Sequence, residues 1–220
     1  MRTTLITGAN RGIGLELARQ LSARGDRVIA VVRQGNPELS QLSIQVEAGI
    51  DVADHTSIRA LTERLQGTRL DVLINNAGIL SMDSLDNLDI DGIRRQFEVN
   101  ALAPLRVTHA LRSCLHEGSK VAIVTSRMGS LSDNTSGGMY GYRMSKAAVN
   151  MAGISLAKDL APRGIMVALL HPGYVRTDMT DGHGNIDPSQ AAKGLIQRID
   201  ALDLSTSGQF WHANGETLPW

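Results

Sequence analysis

Five short runs of this chain are almost continuously apolar, and they alternate with longer stretches in which apolar residues return every three or four positions. The runs cover residues 3–7, 27–32, 70–75, 120–125 and 165–170. Their length and unbroken hydrophobicity predict strands of a parallel sheet covered on both faces. Between them, Leu15, Leu17, Ala18 and Leu21 have helical spacing, and further helices are predicted over 54–65, 90–115 and 142–160. Strands alternating with helices imply right-handed crossovers and a doubly wound α/β sheet with helices on both faces. Neither repeats nor a low-complexity linker interrupts the pattern, so residues 1–220 are read as one domain.

In a sheet of this kind ligands sit beyond the carboxyl ends of the strands, where Gly8, Asn75, Ser126 and Pro172 fall. The first of these ends is the most distinctive. Strand 3–7 runs straight into Gly8, Gly12 and Gly14, followed by the helical pattern. A strand, a glycine turn and a helix start give the dinucleotide-binding geometry of a Rossmann-type fold, because glycines allow close backbone approach and free N–H groups face phosphate. The spacing is G-x-x-x-G-x-G rather than G-x-G-x-x-G, and a glycine turn serving only strand-to-helix packing is the plainer alternative.

The segment YRMSK carries chemistry of another kind, since Tyr142 and Lys146 are one helical turn apart and share a face. A free phenol, with a pKa of about 10, is a poor acid or base at neutral pH. A neighbouring ammonium is expected to stabilise the phenolate and lower that value. Tyr140 competes for the role, but the residue four beyond it is Met144. Ser126, at a strand end, reads either as a turn cap or as a hydroxyl aimed at a substrate carbonyl oxygen. Asn100 lies inside the predicted helix 90–115, where asparagine is unfavourable, and marks a bend, a buried hydrogen-bonding group or a catalytic member.

Composition narrows the partners. The 22 basic and 22 acidic residues balance, so no global field draws the protein to nucleic acid or an anionic membrane. A single cysteine, Cys114, excludes an internal disulfide and reads as a buried thiol. The first strand follows Met1 without a basic segment and apolar core of the signal-peptide type, and no apolar run approaches a membrane span. Cytoplasmic residence is expected. The six histidines lack a short ligand pair, so no metal site is expected, and no G-x-S-x-G elbow surrounds Ser126 to support hydrolysis.

With TGANRGIG at Thr7 to Gly14, NNAG at Asn75 to Gly78, Asn100 in FEVNALAP, Ser126 ending VAIVTS, YRMSK, and HPGYVRTDM at His171 to Met179, the chain resembles the short-chain dehydrogenase/reductase family along nearly its whole length. YRMSKAAVNM and the ending GQFWHANGETLPW are similar to its C-factor-like and sniffer-like carbonyl reductase branch. The resemblance implies an NAD(P)-dependent oxidoreductase whose catalytic set is Asn100, Ser126, Tyr142 and Lys146. It implies cofactor contacts at Gly8, Asn10, Arg11, Gly12, Ile13 and Gly14, at Asp51 and Val52 for adenine, and at Asn76, Ala77 and Gly78. Tyr142 and Lys146 would face the nicotinamide ribose, with Pro172, Gly173, Val175 and Thr177 near the nicotinamide amide and phosphates. The family also implies pairing into a homodimer or homotetramer through the helices that contain Asn100 and Tyr142.

Arg33 stands about 20 residues beyond the glycine turn, where an acid favours the 2′-hydroxyl of NAD and an arginine the 2′-phosphate of NADP. With Arg11 as a second phosphate partner, NADP(H) is expected ahead of NAD(H). The expected reaction is hydride transfer between nicotinamide and a carbonyl or alcohol substrate, Tyr142 moving the proton. A dinucleotide-binding signalling or sensor protein with little turnover is the alternative. Only eight residues separate Met179 from Pro188, which predicts an open substrate pocket, and Met128 to Met139 reads as a mobile loop beside Ser126.

Overall fold

The computed structural model describes residues 1–220 and contains one seven-stranded sheet. Its strands are β1 (Thr3–Thr7), β2 (Arg27–Val31), β3 (Gln45–Glu47), β4 (Leu70–Asn75), β5 (Leu115–Val124), β6 (Met166–His171) and β7 (Phe210–His212). They pair in the order β3-β2-β1-β4-β5-β6-β7, every pair parallel. Direction of winding changes between β1 and β4, which makes a crevice at the carboxyl ends of those two strands.

The period-2 alternation of the strands sends successive residues to opposite cores. Leu5, Ile29, Leu73, Val121 and Val167 join one cluster, while Ile6, Ala30, Ile74, Ala122 and Ala168 join the other. Helices α1 (Gly12–Ala23) and α7 (Pro188–Ala201) cover the second face through Leu17, Leu21, Leu195 and Ile199. The first face is covered by α3 (His55–Arg64), α5 (Ala103–Ala110) and α6 (Tyr140–Leu160), through Leu61, Val107, Val149 and Leu160. A one-turn helix α2 (Pro37–Ser40), capped by the Asn36 side chain, lies between β2 and β3. No helix is long and apolar enough to cross a membrane.

Two predicted helices need correction. The single helix expected over 90–115 is α4 (Ile90–Phe97), a π-helical segment Glu98–Leu102 and α5, and the chain then turns and enters β5 at Leu115. The π segment inserts backbone without breaking the helical pattern, so side-chain periodicity does not reveal it. Leu111, Cys114 and Leu115 have helical spacing but are buried by a turn and a strand, with the Leu70 N–H donating to the Cys114 carbonyl at 2.9 Å. Helix α6 begins at Tyr140, two residues earlier than expected, and α2, α7, β3 and β7 complete the fold beyond the predicted elements.

Candidate active site

The turn after β1 is shaped by what its glycines lack. Gly8 has φ +67°, and a Cβ there would stand 2.9 Å from Ala77 Cα. A Cβ on Gly14 would overlap the Gly8 carbonyl oxygen and lie 2.6 Å from Asn76 Nδ2. The loop after β4 is thus pressed against the glycine turn. Thr7 fastens the two, its buried hydroxyl accepting the N–H groups of Asn76 (3.0 Å) and Ala77 (3.1 Å). Asn76 returns the link by donating to the carbonyls of Thr7 (3.0 Å) and Gly8 (3.1 Å). Thr7 and its role escaped the sequence reading, although it opens the TGANRGIG segment.

Helix α1 starts directly behind this turn, with no side chain capping it at Arg11 and no acid in its first turn. First-turn N–H groups at Ile13 and Gly14 therefore remain available for an anion. Asn10 donates to the Gln34 carbonyl at 3.2 Å and accepts from Asn36, joining the glycine turn to the loop after β2. On that loop Arg33 is exposed and unpaired, whereas Arg11 makes a 3.3 Å ion pair with Asp178, both side chains exposed. Asp51 is half-buried and accepts the Ala53 N–H at 2.9 Å, beside the buried Val52. The uncapped helix start, the Cβ-free cradle and the free guanidinium fit a dinucleotide with its phosphates on the turn.

The segment after β6 closes on the same turn. Gly173 has φ +97°, and Val175 pairs with Ile186 through an isolated bridge. A Cβ on Gly12 would lie 3.3 Å from Thr177 Cγ2, so Thr177 abuts the glycine turn. His171, just before the buried Pro172, packs edge to face on His212 with ring centroids 4.9 Å apart. Burial, aided by the charges nearby, pushes His171 down to about 3, so it is neutral at physiological pH.

Ser126 follows β5 and caps the short turn Arg127–Gly129, its Oγ accepting the Met128 N–H at 3.2 Å. Tyr142 and Lys146 sit in the first two turns of α6. Lys146 is buried, 5% exposed, with Nζ donating to the Val124 carbonyl at 3.1 Å and lying 5.6 Å from the Tyr142 ring centroid. The expected lowering of the phenol pKa is not found. Burial raises Tyr142, the Ser126 side chain opposes that rise, and the ammonium lies over the ring. Burial instead lowers Lys146, to about 8.

Asn100 lies in the π segment, 1% exposed. Its Oδ1 accepts the Ile79 N–H (2.8 Å), and Nδ2 donates to the Ile79 carbonyl (2.9 Å) and to Ser145 Oγ (3.1 Å). Of the readings open from sequence, the buried hydrogen-bonding group is present, carried on a π-helical segment. Ser145, also missed, donates onward to the Tyr142 carbonyl at 2.8 Å, and its position in YRMSK between Tyr142 and Lys146 was the available signal. A Cβ on Gly78 would stand 3.4 Å from Asn100 Oδ1 and 3.7 Å from Lys146 Nζ, so these three share one floor. The first part of the loop beyond Ser126 is anchored: Ser132 N and Oγ donate to the Trp220 carbonyl at 3.0 and 2.8 Å, and Arg127 pairs with Asp133 (3.2 Å) and Glu216 (3.0 Å), while residues 134–137 are exposed.

A dinucleotide cradle and a Tyr–Lys–Ser group on one sheet edge define a nicotinamide-dependent oxidoreductase of Rossmann type. Residues 2–185 match the family model for short chain dehydrogenase. The chain is 49% identical over 226 residues to 1-hydroxy-2-glutathionyl-2-methyl-3-butene dehydrogenase of Rhodococcus sp. (strain AD45), covering 100% of both chains. It is 45% identical over 166 residues to C-signal of Myxococcus xanthus, covering 74% of this chain and 100% of that one. The crystal structure of NADPH-bound carbonyl reductase from chicken fatty liver superposes with a TM-score of 0.91 at 29% identity, covering 100% of this chain and 99% of the other. The chain belongs to the short-chain dehydrogenase/reductase family, in its C-factor-like and carbonyl reductase branch, and is an NAD(P)-dependent oxidoreductase.

Proposed function

We propose that the protein interconverts carbonyl compounds and alcohols with NADP(H), Tyr142 exchanging the proton at the substrate oxygen. The single observation that carries this reading is the grouping of Ser126, Tyr142 and Lys146 beside the floor made by Gly78 and Asn100. When bound, the nicotinamide supplies or accepts the hydride at the carbon. Ser126 and Tyr142 hold the carbonyl oxygen, and Tyr142 donates its proton as charge develops there. A phenol raised by burial stays protonated at neutral pH, ready to act as the proton donor in a reduction. Lys146 carries positive charge below about pH 8 and would hold the nicotinamide ribose. Asn100 fixes the loop at Ile79 and, by family resemblance, would hold a water in the proton path.

At the other end of the cofactor, Arg33 is the group placed to receive a 2′-phosphate, because it is exposed and carries no competing carboxylate. Arg11 is the second, in competition with Asp178. A signalling role with little turnover, to which the similarity with C-signal would point, is less favoured, since it leaves the Tyr–Lys–Ser grouping without work. Assembly into a homodimer or homotetramer through α4 to α6 is part of the same proposal.

The test is a panel of ketones, aldehydes and quinones with NADPH and with NADH, and of alcohols with both oxidised cofactors. The panel includes a hydroxyalkyl glutathione thioether, since the Rhodococcus relative bears the name of a dehydrogenase for such a compound. Consumption of NADPH matched by alcohol formation, faster than with NADH, is expected. Tight NADPH binding without turnover across the panel would favour the signalling role and sink this reading.

A further inference from the structure

Helix α6 begins without a cap of its own. Met139, the residue before it, has the left-handed φ of +51° and no side-chain cap hydrogen bond, and the helix opens at Tyr140, two residues before Tyr142. The first N–H groups of such a helix need partners when they are buried. Here the first three, those of Met139, Tyr140 and Gly141, are taken by one distant residue. Asp83, in the loop after β4 and 8% exposed, accepts the Met139 N–H through its backbone carbonyl (3.0 Å). Its carboxylate accepts the Tyr140 N–H (2.6 Å) and the Gly141 N–H (3.0 Å). A carboxylate at a helix start is doubly favoured, by charge-assisted hydrogen bonds and by the positive end of the helix dipole.

The loop that delivers Asp83 is itself held by alternate residues. Ile79 is clamped by Asn100, and Ser81 donates its N–H to Gln96 Oε1 at 3.2 Å. Gln96 and Asn100 are four apart and both buried, so they share one helical face. Gln96 reaches under the start of α6. A Cβ on Gly141 would overlap its Nε2 and lie 2.9 Å from Ile93 Cγ1 and 3.1 Å from Asp83 Oδ2. Residues 79, 81 and 83 thus bind the π segment, α4 and α6 in turn, and the last of these contacts fixes the turn of helix that bears the phenol.

We infer that Asp83 is a positioning residue for Tyr142, acting as a remote cap that sets the height and orientation of the first turn of α6 over the site. This rests on the role proposed for Tyr142. The experiment compares Asp83→Ala and Asp83→Asn in the wild-type and Tyr142→Phe backgrounds, reading single-turnover rate, KM and NADPH affinity on the active carbonyl substrate. In the wild-type background Asp83→Ala lowers kcat by roughly ten- to a hundredfold, the scale of a misplaced catalytic group, while NADPH affinity changes little. Asp83→Asn keeps one acceptor oxygen and loses less. In the Tyr142→Phe background both substitutions have little further effect, because there is no proton donor left to misplace. Should Asp83→Ala fail to fold, the Asp83→Asn cycle gives the same reading. An unchanged kcat in either folded variant, or equal losses in the two backgrounds, overturns the inference. A Tyr142→Phe enzyme that is itself fully active overturns the role of Tyr142 instead.

Discussion

The turn after β1 and the face formed by β5 and α6 lie on the same edge of the sheet, yet they are made of different materials. The turn is backbone: its shape depends on side-chain atoms that are missing from Gly8 and Gly14, and its polar groups are peptide N–H groups that do not titrate. The opposite face is made of side chains, Ser126, Tyr142 and Lys146, and burial shifts the protonation of the last two. A backbone site is broken by adding an atom, and a side-chain site by removing one. The first should be indifferent to pH over the physiological range and the second should not.

The largest effect is expected on the backbone side. Gly14→Ala would drive a Cβ into the Gly8 carbonyl and against Asn76, groups fixed by β1 and by the Thr7 bonds. Overpacking of that kind should destabilise the protein by about 3 kcal/mol and abolish NADPH binding, measured by urea unfolding and fluorescence titration. Wild-type stability in this variant would show that the cradle yields. Next comes Arg33→Ala, expected to weaken NADPH by about 1.5 to 3 kcal/mol while leaving NADH nearly unaffected. The NADPH preference should shrink at high salt, since Arg33 is exposed. An unchanged ratio of the two affinities removes Arg33 from the site.

A smaller effect sharpens the contrast in pH. The folded-state value of Lys146 is about 8, against 10.5 for the free side chain, so the unfolded chain holds the extra proton between those limits. Stability then rises with pH across that window, by about 1.4 kcal/mol per unit at most. Urea unfolding of the cofactor-free protein should show wild type gaining on Lys146→Met between pH 8 and pH 10. Parallel profiles would mean that the ammonium is not desolvated.

The same contrast explains what could be read from the sequence. Glycines and strand ends are written locally, so the cradle, five of the strands and the alignment of Gly8, Asn75, Ser126 and Pro172 on one edge were legible. The pair Tyr142 and Lys146 was legible as a helical spacing, but not the sign of the Tyr142 shift, which is a property of the packed surroundings. The break in 90–115 was hidden because a π turn keeps helical side-chain periodicity. Asp83 gave no local signal at all, since it caps a helix that starts 57 residues later in the chain. For α7 the signal was present and unused, in Asp187, Pro188 and Gln190, which form a capping box with proline in the first turn.

The central claim is that the proton at the substrate oxygen moves through Tyr142 and not through Tyr140, the other phenol in the first turn of α6. Single-turnover reduction of one carbonyl substrate by NADPH-saturated Tyr142→Phe and Tyr140→Phe tests it most directly, because cofactor binding is held constant. Tyr142→Phe should lose ~10² to 10⁴-fold in rate, the usual contribution of positioned proton transfer, with Tyr140→Phe close to wild type. Equal losses in the two variants, or a wild-type rate in Tyr142→Phe, would contradict it.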